Sequence, residues 1–200
     1  KFKSAAQMTR DKGGRPRYFH TCCSAGMLRY PRMKGDLVRI GILQYGHWPN
    51  QETQIELMTK KNLNVDPLRR VLSWKSSIMV TKKVGKREFI GYGTSHMAIS
   101  DMRIAIVPVG YSYGYNRSLS NQGYVLVNGK RAPVIGTINM NALTIDITGI
   151  PEANKGDEVI LIGLSGEDEV SVSSFSEMSN QLNYEMLSRL PASITRSIVN

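Results

Sequence analysis

The apolar positions of this chain change rhythm along its length. Near the N-terminus they form two short, nearly unbroken runs, residues 18–23 and residues 37–45, the second interrupted only by Arg39. Such runs are what parallel strands covered on both faces show, so both are expected to be strands of that kind. Residues 24–33 read as a helical turn or loop ended by Pro31. Residues 1–17 are polar and basic, with Gly13, Gly14 and Pro16 set to break any helix. Residues 47–66 are polar, punctuated by Pro49 and Pro67, and read as an irregular linker.

From Val71 the pattern turns into short β-rich runs at 71–84, 103–109, 124–127, 132–135, 143–147 and 158–162. Asn128-Gly129 between two of them suits a type I′ hairpin turn. Many short strands at this spacing predict a barrel or sandwich. Residues 172–190 form the one good helical stretch, with Ser171, Ser173 or Ser174 to cap it and a break at Asn183. Residues 194–199 are expected as a closing strand. The expected organisation is 1–48 of α/β character, a linker over 49–70, and a mainly β domain over 71–200. The first part is too short for an α/β domain, and its two parallel strands need neighbours. Exposed, they would make isolated material poorly soluble or oligomeric.

The formal net charge of +10 raises a nucleic-acid partner, but the basic residues are dispersed. The clusters at 10–17 and 82–87 carry no interleaved aromatic residues, so a solvated surface or an acidic partner segment is the favoured reading. No apolar run approaches the ~18 residues of a membrane span. The basic start Lys1-Phe2-Lys3 is not followed by a signal-like apolar segment. It lacks Met and reads as mid-element, so a fragment or processed product is expected. The two cysteines, Cys22 and Cys23, are adjacent, a geometry that strains a disulfide, and a reducing cytoplasmic setting fits them. His20, His47 and His96 show no metal-ligand spacing.

Candidate chemistry lies in Gly91-Tyr92-Gly93-Thr94-Ser95-His96 and in Val109-Gly110-Tyr111-Ser112-Tyr113-Gly114. A tyrosine flanked by glycines suits a cleft, because glycine permits positive φ and close backbone approach. The plainer reading of Tyr92 is packing at a strand end.

Taken in order, several stretches resemble motifs of the alanine racemases, pyridoxal-phosphate (PLP) enzymes with an N-terminal (β/α)8 barrel and a C-terminal β-domain. His20-Thr21-Cys22-Cys23-Ser24 is similar to the family's H-T-x-N-S, and residues 37–46 to its V-R-x-G-I-x-x-Y-G strand. Gly91-Tyr92-Gly93-Thr94 resembles the Y-G-x-T loop, and residues 107–114 resemble P-x-G-Y-A-D-G. Residues 127–136 resemble the hairpin before the family's C-M-D motif, Asn139-Met140-Asn141 stands at that motif, and Leu182-Asn183-Tyr184-Glu185 is similar to I-N-Y-E. Nothing resembles the K-A-N-A-Y-G-H-G motif whose lysine holds PLP. The chain thus resembles the C-terminal half of such an enzyme. The implied fold is mainly β: a C-terminal β-barrel-like domain preceded by the last strands of the (β/α)8 barrel.

The resemblance implies racemisation of L- and D-amino acids, alanine first among them, by two-base proton transfer with PLP. Tyr92 would be one base. A free tyrosine titrates near ~10, so that role needs nearby positive charge or hydrogen bonds to the phenolate. Arg39 would face the PLP ring nitrogen, supported by His20, while Ser24, the Gly41 and Ile42 amides and Tyr184 would bind the phosphate. Tyr111 and the Met140 backbone would line the substrate pocket. In a homodimer, Tyr92, Tyr111 and Met140 would serve the partner's PLP, and Ser24, Arg39 and Tyr184 their own. On the residues alone, Arg39 as a solvent-reaching strand-end arginine, His20 as a core histidine and Met140 as simple packing stay open. Cys23, Asn141, Tyr113 and His96 depart from the usual Asn, Asp, Asp and Tyr. These departures, with the insertion over 47–66, bear on substrate choice. Two other readings are a non-catalytic basic β-barrel binding module and an inert racemase remnant.

Overall fold

The two expected parallel strands are present. In the computed structural model, which describes residues 1–179 and 183–199, β1 (His20–Cys23) pairs in parallel with β2 (Leu37–Arg39), with Cys22 beside Val38 and Cys23 beside Arg39. They belong to the first of two compact units, Lys1–Val71; the second is Leu72–Asn200. The run 37–45 is not one strand. β2 stops at Arg39, and a 3-10 turn, Ile42–Tyr45, follows, closed by Gly46 at φ 76°. Nor are the strands covered on both faces. Cys22 and Ile42 are buried, whereas Leu37 is 47% exposed. A parallel strand is buried by neighbouring strands and covering helices, and this sheet has two strands.

Among the described residues the same unit holds three α-helices, of which the second packs on the pair. α1 (Phe2–Asp11) ends just before Gly13, whose φ is 80°. α2 (Ser24–Arg29) follows β1 directly, and Pro31 then opens a 3-10 turn. The stretch expected to be an irregular linker contains α3 (Gln51–Lys61). Asn50 caps it by accepting the Thr53 N–H at 2.9 Å, and Asn62 ends it in the left-handed region at φ 51°. The segment beyond α3 folds back. The Asp66 carboxylate accepts the Trp48 indole N–H at 3.0 Å and the Leu68 N–H at 2.9 Å, and Arg70 hydrogen-bonds the Gly46 carbonyl.

The second unit is built on antiparallel strands: β3 (Trp74–Ser77), β4 (Val80–Val84), β5 (Phe89–Ile90), β6 (His96–Met97), β7 (Met102–Val107), β8 (Tyr124–Val127), β9 (Lys130–Ile135), β10 (Leu143–Asp146), β11 (Glu158–Ser165) and β12 (Asp168–Val170). The main sheet runs β12-β11-β8-β9-β10-β7-β4, and β3 also pairs with β11. β3 and β4 are consecutive, and between them Ile78 donates to the Asp157 carbonyl while Met79 donates to that of Ile106. One stretch of chain thus serves both ends of the order β11 to β7, which curls the sheet. The β8–β9 hairpin has the expected turn, with Asn128 at φ 49° and Gly129 at φ 74° between Val127 and Lys130.

Inside the curl Val125, Leu126 and Val127 are fully buried with Ile145, Leu161 and Ile160. Each such side chain contributes about 1.5–3 kcal/mol. The Tyr115 ring lies 6.1 Å from Trp74 and 5.1 Å from Phe175 of α4 (Val172–Ser179). A smaller cluster of Val84, Ile90, Ala98, Ile104 and Ile135 fastens the β5–β6 hairpin to the sheet. Of the three candidate cap serines, Ser171 accepts the Ser174 N–H at 3.0 Å. The helical stretch is described as two helices, α4 and α5 (Asn183–Arg189), on either side of residues 180–182, which include Leu182 and lie outside the described residues. The closing strand over 194–199 is not formed: among the described residues no ladder pairs these, and Ile198 and Val199 are exposed. Among the described residues no helix is long and apolar enough to cross a membrane.

Candidate active-site elements

In the first unit, the β1-to-α2 junction places Ser24 at the first helical residue, buried. Its Oγ accepts the Gly41 N–H at 2.9 Å, which ties this junction to the chain leaving β2. Gly41 precedes the 3-10 turn that Ile42 begins, and the first N–H groups of such a turn have no partner within it. The Gly41 N–H is thus taken up by Ser24, while the Ile42 amide opens the turn; a serine hydroxyl and a turn-opening amide are the kinds of group that bind phosphate oxygens. The φ of Gly41 is −114°, so no left-handed backbone demands glycine there.

Arg39 ends β2 and His20 begins β1, and the Arg39 guanidinium hydrogen-bonds the His20 ring. Arginine can only donate, so the ring nitrogen accepts. Arg39 is exposed at the strand end and has a partner, so no uncompensated buried charge arises from the apolar run.

In the second unit, Tyr92 sits in a 3-10 turn between β5 and β6 and is 76% exposed. It is therefore presented rather than packed within this unit. Gly91 at φ 79° and Gly93 at φ 72° occupy the left-handed region on either side, the backbone reason for both glycines. The second tyrosine, Tyr111, opens the 3-10 turn Tyr111–Tyr113 after β7. Its N–H donates to the Asn139 carbonyl at 3.0 Å, and Ser112 donates to the Met140 carbonyl through N–H at 2.9 Å and Oγ at 2.6 Å. A Cβ on Gly110 would lie 2.1 Å from the Asn139 oxygen, so the close approach of these two loops requires glycine. Met140 is 57% exposed, which removes it from the core of its unit. Tyr184 is the second residue of α5 and is also exposed.

The structure thus groups the nominated residues in two sets. His20, Ser24, Arg39, Gly41 and Ile42 gather around the β1–β2 pair. Tyr92, Tyr111, Met140 and Tyr184 belong to the second unit. Sequence reasoning missed an open cleft of about 410 Å³ lined by Tyr111, Gly114, Asn116, Arg117 and Arg189. The one available signal was the position of Arg117, six residues beyond Tyr111. It also missed the side chains that hold the Tyr92 turn. The Ser95 Oγ accepts the Thr137 N–H and hydroxyl, both at 2.8 Å, and Asn121 bridges the Ser95 carbonyl and the Gly136 N–H.

Known proteins match both parts of the chain. Residues 71–198 match the family model "Alanine racemase, C-terminal domain", and residues 1–49 match "Alanine racemase, N-terminal domain". An alanine racemase of Leptospira interrogans is 38% identical over 200 residues, all of this chain and 51% of that protein. The solved alanine racemase of Streptomyces coelicolor A3(2) superposes with a TM-score of 0.88 at 29% identity, covering 100% of this chain and 50% of that one. A Bartonella henselae alanine racemase structure with covalently bound pyridoxal phosphate gives a TM-score of 0.74 at 26% identity, over 94% of this chain and 49% of that one. The chain spans about half the length of the curated relatives it matches. Its second unit has the fold of the alanine racemase C-terminal domain, with a curled antiparallel sheet, and the chain belongs to the alanine racemase family.

Proposed function

We propose that this chain is part of a PLP-dependent racemase that interconverts L- and D-amino acids, alanine in the first instance, with Tyr92 as one of two bases. The observation that carries this reading is the presentation of Tyr92: an exposed phenol on a turn whose two flanking glycines take positive φ. Membership of the family supports the reaction class, and the pyridoxal phosphate of the B. henselae relative supports the cofactor.

When bound, PLP supplies an electron sink that acidifies the Cα–H of an attached amino acid. In this reading the buried Ser24 hydroxyl and the Gly41 and Ile42 amides of the first unit would hold its phosphate, as would the Tyr184 phenol. Arg39, held against His20, would face the ring nitrogen. Because arginine stays protonated, it would donate a hydrogen bond to that nitrogen without giving it a proton. Tyr92 takes or returns the substrate proton at its Oη on one face. Tyr111 and the Met140 backbone bound the substrate.

The opposite face needs a second base, the family's lysine, whose motif no stretch of this chain resembles. In this reading the first unit is the closing part of a (β/α)8 barrel over 1–48, residues 49–70 connect it to the β-domain over 71–200, and the rest of the barrel supplies that lysine. Tyr92, Tyr111 and Met140 complete a partner's site in a homodimer in the cytoplasm, and Ser24, Arg39 and Tyr184 serve their own.

The test is Tyr92→Phe in the holoenzyme that contains this chain, with L- and D-alanine and deuterium uptake from solvent at Cα. Losing one positioned proton-transfer group costs about 10²–10⁴-fold. Racemisation should fall by that factor, while exchange on the face opposite Tyr92 continues. Full racemisation in the variant would sink the proposal.

A further inference from the structure

We propose that Ser95 and Asn121 are positioning residues that set where the Tyr92 phenol points; this rests on the reading of Tyr92 as a base. The turn around Tyr92 cannot hold itself. Gly91, Gly93 and Thr94 all have positive φ, at 79°, 72° and 50°, and the turn is exposed. Its placement therefore depends on tertiary ties. Gly91 lies close to Gly136 and Thr137: a Cβ on it would lie 3.6 Å from both. The Ser95 Oγ accepts two hydrogen bonds from Thr137, N–H and Oγ1–H at 2.8 Å each, and its own hydroxyl donates to the Tyr92 carbonyl at 3.4 Å. One hydroxyl thus touches the backbone of Tyr92 and the segment that leads to Met140.

Asn121 completes the brace from a third loop. Its Nδ2 donates to the Ser95 carbonyl at 3.3 Å and its Oδ1 accepts the Gly136 N–H at 2.7 Å. The neighbouring Ser120 Oγ accepts the Ile138 N–H at 3.0 Å. The segment 136–140 in turn holds the Tyr111 turn through the Asn139 and Met140 carbonyls. The side chains of Ser95 and Asn121 therefore fix the Tyr92 turn against the same segment that carries Tyr111 and Met140. Freed of them, the turn keeps its glycines and loses its reference point. Misplacing a reacting group by about 1 Å can cost on the order of 10²-fold in rate.

The experiment compares Ser95→Ala, Ser95→Thr, Asn121→Gly and Tyr92→Phe in the holoenzyme that contains this chain. Glycine at 121 accepts the positive φ of 57° found there, so the variant removes the two hydrogen bonds without backbone strain. Alanine steady-state kinetics, solvent-deuterium uptake at Cα of each enantiomer and thermal melting are measured. Ser95→Ala and Asn121→Gly are expected to lower kcat at least about 10-fold with KM within about 2-fold, the signature of an interaction needed in the transition state. Deuterium uptake should fall on the face that Tyr92 serves and persist on the other. Ser95→Thr, which keeps the hydroxyl, should restore kcat.

Equal loss on both faces together with a lowered melting point would show a merely structural role and overturn the proposal. So would unchanged kcat in Ser95→Ala beside a Tyr92→Phe variant that has lost activity, and that result would leave the reading of Tyr92 intact. Full activity in Tyr92→Phe would overturn both.

Discussion

Residues 37–39 and residues 125–127 are alike as sequence, each a short strand in an apolar run, yet they occupy opposite environments. Val125, Leu126 and Val127 are fully buried, whereas Leu37 is 47% exposed and Arg39 is exposed. The difference lies in the neighbours. β8 is flanked by β9 and β11, and the curled sheet closes over it. Among the described residues β2 pairs only with β1. An apolar run states what burial a strand calls for; the sheet around it decides how much it receives. The chemistry divides along the same line. The Tyr92 and Tyr111 turns stand on a unit with a large buried core, while Ser24 and Arg39 stand beside a two-stranded sheet with most of its apolar side chains half exposed.

The sharpest way to break this comparison is to remove one large side chain from each unit. Phe175→Ala should destabilise the second unit by about 3–5 kcal/mol, since it leaves a cavity beside Tyr115. Leu37→Ala should change the stability of the first unit by no more than about 0.5 kcal/mol, as surface substitutions do. Denaturant unfolding can read the units separately, because Trp48 lies in the first and Trp74 in the second. Equal costs for the two substitutions would mean that Leu37 is as buried in solution as Phe175.

Acid should act next most strongly, and on the first unit. His47 is buried, its Nε2 has no hydrogen-bond partner, and burial, followed by the charge of Arg70, lowers its pKa from 6.5 to about 4. The unfolded chain therefore binds a proton near 6.5 that the folded chain refuses until about 4. Stability rises with pH wherever the unfolded state holds more protons. This contribution is complete above 6.5 and is lost as pH falls toward 4. The loss should be about 1–3 kcal/mol. Trp48 fluorescence in a Trp74→Phe background, followed through urea unfolding at pH 4.5 and 7, measures it, and His47→Gln should flatten the dependence. A flat profile with His47 present would show that water reaches the ring.

A smaller loss than that of acid is expected at the α3 cap. Asn50→Ala removes the acceptor of the Thr53 N–H and should cost about 1 kcal/mol, visible as a lower urea midpoint of the first unit alone. No change would mean that α3 contributes little to that unit.

Much of the second unit was legible in sequence because its signals are local. Asn128-Gly129 specifies a turn with two positive φ angles, and glycines on both sides of Tyr92 mark a left-handed backbone. α3 escaped because Ile55, Leu57 and Met58 are its apolar residues and span barely one turn, too few to show a repeating face; Asn50 and Asn62, its caps, announced it. The strand expected over 194–199 failed for the opposite reason: its pattern suits a strand, but no edge pairs it. The end of β2 at Arg39 was hidden because the same apolar run continues into the buried Ile42 of a 3-10 turn.

The sequence by itself determined the family, the order of the motif loops and the turns whose backbone only glycine or asparagine readily adopts, since each of these is written in a few neighbouring residues. Tertiary structure alone decided which runs are buried, that Arg39 meets His20, that Ser24 meets Gly41, and that Ser95 and Asn121 brace the Tyr92 turn against residues 136 and 137. These contacts join residues 15 to 42 positions apart. No local preference encodes them; they exist because the folded chain brings loops from different strands to one place.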